Sequence, residues 1–252
     1  MAGPSHIATI SPGLAEAPDA IGGPPVPQDS MNAQDPKRQA AQQLASESLS
    51  RGDAIGWFDQ LYRKAAGDSG MIPWALLRPH THLTEWLDAN PPARSGLRAT
   101  VVGCGLGDDA EELARRGYQV TAFDISTAAI EWVKKRFPNS QVSYLGADLF
   151  NVPTSLKRSA DLVVEFNTIQ ALPLEMRERT LQCIAELVAP GGKLLVVCRA
   201  RGDHEDAGQI PWPVSRKELE GLSRASLREI AFEDILDEED PPVRRFRAVY
   251  IR

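Results

Sequence analysis

The sequence predicts an α/β protein: a seven-stranded, mostly parallel sheet with helices on both faces. A helical lid precedes it and an antiparallel hairpin closes it at the C-terminus. Three observations predict this. After Ser95, short apolar runs alternate with amphipathic stretches of helical period. A glycine loop, Gly103-Cys104-Gly105-Leu106-Gly107, stands directly between the first apolar run and a helical pattern. The last two apolar runs are joined by a short acidic turn containing proline, which suits a hairpin and is too short for a parallel crossover.

Residues 1–36 carry seven prolines, scattered glycines and no periodicity. They cannot bury enough apolar surface to offset ordering entropy, so a disordered tail is expected. Residues 37–95 are expected to form the lid segment, with helices over 36–51, 53–66 and 79–89. The segment is rich in aromatics: Trp57, Phe58, Tyr62, Trp74 and Trp86. Residues 96–252 are the expected core. Its strands fall at 97–102, 119–124, 141–145, 161–166, 193–199, 227–236 and 243–251. Its helices fall at 108–116, 127–137, 174–188 and 215–223. Gly117 and Pro138 end the first two helices, and Pro190-Gly191-Gly192 turns the third into a strand.

The chain has 252 residues, 42% hydrophobic and 25% charged, as in an ordinary globular domain. A net charge of −6 speaks against a broad surface for nucleic acid or anionic lipid. No apolar run approaches the roughly 20 residues of a membrane span. Three cysteines, Cys104, Cys183 and Cys198, lack the spacing of a disulfide framework or a zinc site. The first Lys or Arg is Lys37, so the N-terminus reads as neither a secretory signal nor a transit peptide. The expectation is a cytoplasmic enzyme of small molecules, a monomer or weak homodimer, without metal.

The glycine loop alone is a weak signal. A dinucleotide site wants GxGxxG, and here that last position is Asp108. Asp108 and Asp109 stand where a pyrophosphate needs a helix start free of negative charge, and they suit a cationic ligand instead. Asp124 closes the second strand, where an acid can accept both ribose hydroxyls. Asp148 follows the third strand, where an acid can accept from an adenine amino group with Leu149 beside it. A helix cap or a turn is the bland alternative for each acid. Together the clues describe an adenosine ligand without phosphates and with a cationic centre, which S-adenosylmethionine satisfies.

At this point the chain resembles class I S-adenosylmethionine-dependent methyltransferases, with their Rossmann-like sheet. More narrowly it resembles the thiopurine S-methyltransferase superfamily with its thiol and halide methyltransferases, over about residues 53–251. Three stretches carry the resemblance: Trp57 to Tyr62 with Gly70, Pro73-Trp74 and Pro79; Gly103 to Asp109; and Asp161 to Thr168 with Pro173, Met176-Arg177 and Pro190-Gly191-Gly192. The resemblance implies that Gly103, Cys104, Gly105, Gly107 and Asp109 line the methionine part of the cofactor. It places Asp124 and Ile125 at the ribose, and Asp148 and Leu149 at the adenine. Glu165 and Phe166 would lie near the sulfonium, and Trp57 and Trp74 would fold over the site. Trp57, Phe58, Trp74 and Asn167 are the expected acceptor contacts. Thiopurine enzymes place an arginine just beyond the fourth strand; here Phe166, Asn167 and Thr168 follow Glu165, which counts against a thiopurine acceptor.

Methyl transfer is an in-line displacement at a carbon activated by positive sulfur, served by alignment and by a dry aromatic pocket. A thiol is already partly thiolate at neutral pH, so a soft acceptor needs little help from a base. The candidate catalytic residues are Glu165, Tyr62 and His204. Asp59, His80 and His82 are further candidates for a base. A thiol acceptor is the leading expectation. Transfer to oxygen or nitrogen of a small metabolite, a cofactor-binding sensor and a nicotinamide oxidoreductase are the rivals.

Overall fold

In a computed structural model of the chain, residues 35–237 and 242–252 are described. Most of the expected tail, residues 1–34, and the tip of the expected hairpin, residues 238–241, lie outside them.

The sheet is built from β1 (Arg98–Val102), β2 (Gln119–Asp124), β3 (Ser143–Gly146), β4 (Ala160–Phe166) and β5 (Val188–Arg201) in parallel. β8 (Arg244–Ile251) runs antiparallel to β5, and β7 (Arg228–Leu236) antiparallel to β8. The order is β3-β2-β1-β4-β5-β8-β7, with a two-residue β6 (Val214–Ser215) pairing off the path with β5. The seven expected strands are therefore present and β6 is an addition. The chain order reverses between β1 and β4, which opens a crevice at the strands' carboxyl ends.

Central strands are apolar because both their faces are covered. Val163, Leu194 and Val196 belong to one core, with Leu181 and Ile184 of α7 (Arg177–Ala185) and Leu219 and Leu222 of α8 (Arg216–Arg224). Val101, Leu162 and Leu195 belong to the other, with Leu113 of α4 (Asp108–Arg115), Val133 of α5 (Thr127–Arg136), and Leu83 and Leu87 of α3 (Thr81–Ala89). Part of the expected lid segment, α3, is thus a layer of the sheet's own core.

The remaining lid helices are α1 (Pro36–Ser50) and α2 (Gly56–Ala65). On α2, Trp57, Leu61, Tyr62 and Ala65 recur at helical spacing and are buried against Leu106 of the glycine loop and Ala129 of α5. Each large side chain so buried contributes about 1.5–3 kcal/mol, and this fixes the helix over the loop. Asp59 adds a polar tie: its carboxylate accepts from Ser126 Oγ at 2.9 Å and from the Ala128 amide at 3.0 Å, at the start of α5.

Two elements differ from expectation. β5 begins before Pro190-Gly191-Gly192 instead of after it. The Gly191 amide donates to the Arg252 carbonyl and the Arg252 amide to the Gly192 carbonyl, so the last residue continues the pairing across the expected turn. A short helix, α6 (Thr168–Ala171), follows β4, between the expected strand and the helix expected from 174. Its first amides are held by Glu165, which lies just upstream inside the strand, while the N-cap residue Asn167 makes no side-chain cap.

β7 is one edge of the sheet, and four-residue β3 is the other. Along β7 run ion pairs from Glu229 to Arg216, Glu233 to Arg247 and Asp234 to Arg244. Among the described residues no helix is long and apolar enough to cross a membrane.

Candidate active site

A cleft of about 2010 Å³ opens at the carboxyl ends of the parallel strands, roofed by α1, α2 and the segment after β5. The glycine loop forms its floor. Gly103, Gly105 and Gly107 have φ of +59°, +51° and +88°, a region where a side chain is strained. A Cβ at Gly103 would stand 2.4 Å from Thr168 Oγ1, and one at Gly105 would meet the Tyr62 hydroxyl at 3.0 Å. The cradle is therefore shaped by missing side chains. Cys104, half-buried, faces the cleft as an unreactive thiol whose ionisation burial disfavours.

Asp124 ties this loop to the end of β2. One carboxylate oxygen accepts from the Gly105 amide at 2.9 Å and the other from the Ser126 amide at 2.8 Å. Burial raises its pKa, and the two amides oppose that rise. Each oxygen keeps a lone pair for a ligand hydroxyl. Ile125 and Leu149 line the same wall. Asp148 lines it too and also closes its own turn, accepting from the Phe150 amide at 2.9 Å.

The two acids at the start of α4 separate. Asp108 makes a bidentate pair with Arg136, both contacts at 2.9 Å. Asp109 lines the cleft with the His80 amide as its hydrogen-bond donor, at 2.7 Å, and no cation pairs with it among the described residues. Burial lifts its carboxyl to about 6. A half-buried carboxylate without a counter-ion suits a ligand carrying a positive charge.

Over the cradle, Trp57 stacks on Phe58 with ring centroids 3.9 Å apart and meets Trp74 edge-on at 6.0 Å. All three line the cleft. Trp74 Nε1 donates to the Tyr62 hydroxyl at 2.8 Å. Burial first, and then the charge of Asp124, hold the Tyr62 phenol far above its ordinary pKa. Tyr62 is accordingly a neutral hydrogen-bonding group at physiological pH.

Glu165 does not line the cleft. Strand alternation turns Phe166 toward the cleft and Glu165 toward the opposite core. There Oε1 accepts from the Ile169 amide at 2.9 Å while Oε2 has no partner. Burial lifts the group to about 7, with the α6 amides and Arg177 opposing. Glu165, expected beside a sulfonium, thus sits beneath α6 and supports it, with Phe166 on the cleft side. His204 is exposed on the turn after β5, next to Glu205 and Asp206, which line the cleft, and is not itself among the lining residues. Asp59 is committed to the start of α5 and to Arg63. His82 is buried, with Nδ1 3.4 Å from Glu85.

Beyond β4 the cleft continues along a second set of side chains. Asn167, at φ +66°, accepts from Arg245 Nη1 at 3.5 Å. Arg245 pairs with Asp237, and Arg199 and Arg247 also line this end. Phe166 is stacked by His80 at 4.9 Å. From α1, Gln42 donates to the Ile210 carbonyl at 2.9 Å and bridges the roof. The arginines and Gln42 were absent from the expected site. The alternating basic residues of RRFRAVYIR were the available signal for Arg245 and Arg247; for Arg199 and Gln42 there was none.

A profile of methyltransferase domains matches residues 100–192. The chain is similar to a thiopurine S-methyltransferase of Vibrio vulnificus, 33% identical over 69% of this chain and 86% of the relative. It is also similar to thiocyanate methyltransferase 1 of Brassica oleracea, 26% identical over 69% of this chain and 74% of the relative. Its fold is that of a TehB-like S-adenosylmethionine-dependent methyltransferase of Corynebacterium glutamicum, with TM-score 0.54, 20% identity, and 77% of this chain and 95% of that one covered.

Proposed function

Since the chain belongs to the class I S-adenosylmethionine-dependent methyltransferases, as a relative of the thiopurine S-methyltransferases, we propose that it methylates a small soft nucleophile, a thiol first of all. When bound, S-adenosylmethionine supplies an electrophilic methyl group on a sulfonium sulfur. Gly103, Gly105 and Gly107 would let its tail lie against the backbone, and Asp109 would face its cationic end. Asp124 would accept from ribose hydroxyls, and Asp148 and Leu149 would border the adenine. Trp57, Phe58 and Trp74 would exclude water and offer aromatic faces to positive charge.

The observation that carries the soft acceptor is the state of the candidate bases. Glu165 faces the core, His204 lies outside the cleft, and Tyr62 keeps its proton. A thiol can arrive as thiolate without any of them, whereas an alcohol or amine needs a proton removed. The relatives named for thiopurines and thiocyanate agree with a sulfur acceptor.

The test is S-adenosylhomocysteine formation against sulfide, alkyl and aryl thiols, a thiopurine, iodide, a catechol and a primary amine. Turnover on the thiols is expected. Turnover on the catechol or amine alone would replace sulfur by oxygen or nitrogen. Cofactor binding with no turnover would favour a sensor.

A further inference from the structure

We propose that His80 binds the methyl acceptor as a hydrogen-bond donor through Nε2–H, selecting acceptors that enter as anions, and that it does not act as a general base. The proposal rests on the methyl-transfer reading above and deepens it to the class of acceptor.

The argument begins with the ring's tautomer. His80 caps α3, and its Nδ1 accepts from the His82 amide at 3.2 Å. An imidazole nitrogen that accepts cannot carry hydrogen, so the proton of the neutral ring sits on Nε2. A doubly protonated ring would set Nδ1–H against the His82 N–H. The cap thus favours one neutral tautomer. The ring lines the cleft and lies against Phe166 at 4.9 Å and 27°, which fixes its plane. Nε2 has no hydrogen-bond partner among the described residues. A donor held in place on a cleft wall and left unpaired is available to a ligand.

The surrounding charges agree. Arg78 precedes the ring, His82 stands on its own helix, Asp109 of α4 accepts from the residue's backbone amide, Arg245 faces it from β8 and Asp237 from the end of β7. Burial, reinforced by Arg245, His82 and Arg78 and opposed by Asp237, drops the imidazolium to about 3. The ring stays neutral throughout the physiological range. It can donate one hydrogen bond to an anion, and it has no free lone pair with which to take a proton. A thiolate, or another acidic heteroatom already ionised, meets that wall. A neutral alcohol accepts a weaker hydrogen bond from the same donor, and an ammonium, which has no lone pair, accepts none.

The probe is 4-nitrothiophenol, fully thiolate at neutral pH. In ¹⁵N spectra of the full-length protein with labelled histidine, the resonance lost in His80→Gln identifies this ring. It should show the Nε2–H tautomer from pH 5.5 to 8 and shift when the thiolate is added with S-adenosylhomocysteine. An Nδ1–H tautomer, a ring that titrates in this range, or no shift would overturn the proposal. Kinetically, His80→Phe keeps the stacking and removes the donor, and should lose about tenfold in kcat/KM, mostly through KM. His80→Gln places an amide N–H near the same point and should recover most of that. Both variants lose the cap on α3, so their difference reports the donor alone. Equal losses in kcat, with disappearance of an acid limb in the pH profile, would make His80 a base. If the wild type turns over no acceptor, the proposed function fails, and the tautomer and its shift still decide the role of His80.

Discussion

The two ends of the cleft are made of different material. At the floor, recognition is built into the backbone: glycines at positive φ, and a buried Asp124 clamped by two amides. Beyond β4 the wall is built from side chains contributed by segments far apart in the chain: His80, Asn167, Arg199 and Arg245. A backbone cradle fits one ligand shape and changes slowly under substitution. A wall of side chains is remade by single substitutions. On the proposed reading, the difference lets one invariant cofactor be held rigidly while the acceptor remains the adjustable partner.

The comparison would break if floor changes altered acceptor preference, or wall changes altered cofactor affinity. Gly103→Ala should have the largest effect. A Cβ in the left-handed region costs about 1–2 kcal/mol, and the contact with Thr168 Oγ1 adds about 1–3 kcal/mol. Denaturant unfolding should show the loss, together with weaker S-adenosylhomocysteine binding in calorimetry. Asp124→Ala should weaken cofactor binding by about 1–3 kcal/mol with acceptor KM unchanged. An unaltered affinity in a folded variant would remove Asp124 from the ribose.

Glu165→Gln sharpens the comparison from beneath the wall. The carboxyl's pKa is raised to about 7 in the folded protein, so the native state binds the extra proton between the ordinary carboxylate range and 7. Its stability contribution is present below that window and is lost as pH rises through 7. Melting profiles should show the variant more stable than wild type at pH 8, by about 1–3 kcal/mol, and equal to it near pH 4.5. A uniform destabilisation would mean that the charged form is the structural one. At the floor, protonation of Asp109 near 6 removes a negative charge from a site for a cationic ligand. Cofactor affinity should therefore fall as pH drops below 6, by about a factor of ten per unit once the group is mostly protonated, and Asp109→Asn should abolish the dependence. The smallest effect is expected at the wall: Asn167→Ala should raise acceptor KM a few-fold and leave cofactor affinity alone.

The same division governs what the sequence could disclose. Gly103 to Gly107, Asp124 and Asp148 lie at fixed places on successive strand ends, so a local pattern revealed them. The strands were legible because central parallel strands are apolar along their whole length. Glu165 misled because its neighbour Phe166 occupies the cleft face, and strand parity decides which of two adjacent residues enters. α6 was missed because Glu165, four residues before Ile169 and still inside the strand, takes the place of an N-cap side chain, and Asn167 at the cap makes none. Gln42, Arg199 and Arg245 reach the site from α1, β5 and β8, and only the fold brings them together.

The bond from the Ala128 amide to Asp59 makes the first turn of α5 a clock for the lid. While α2 is seated, that amide is shielded from solvent deuterium by a carboxylate from another helix. An opening of α2 would expose it without any unfolding of α5. Its exchange rate, compared with that of Val133 deeper in the same helix, is therefore the readout of any such opening, and a ligand that seals the cleft would slow the first without touching the second.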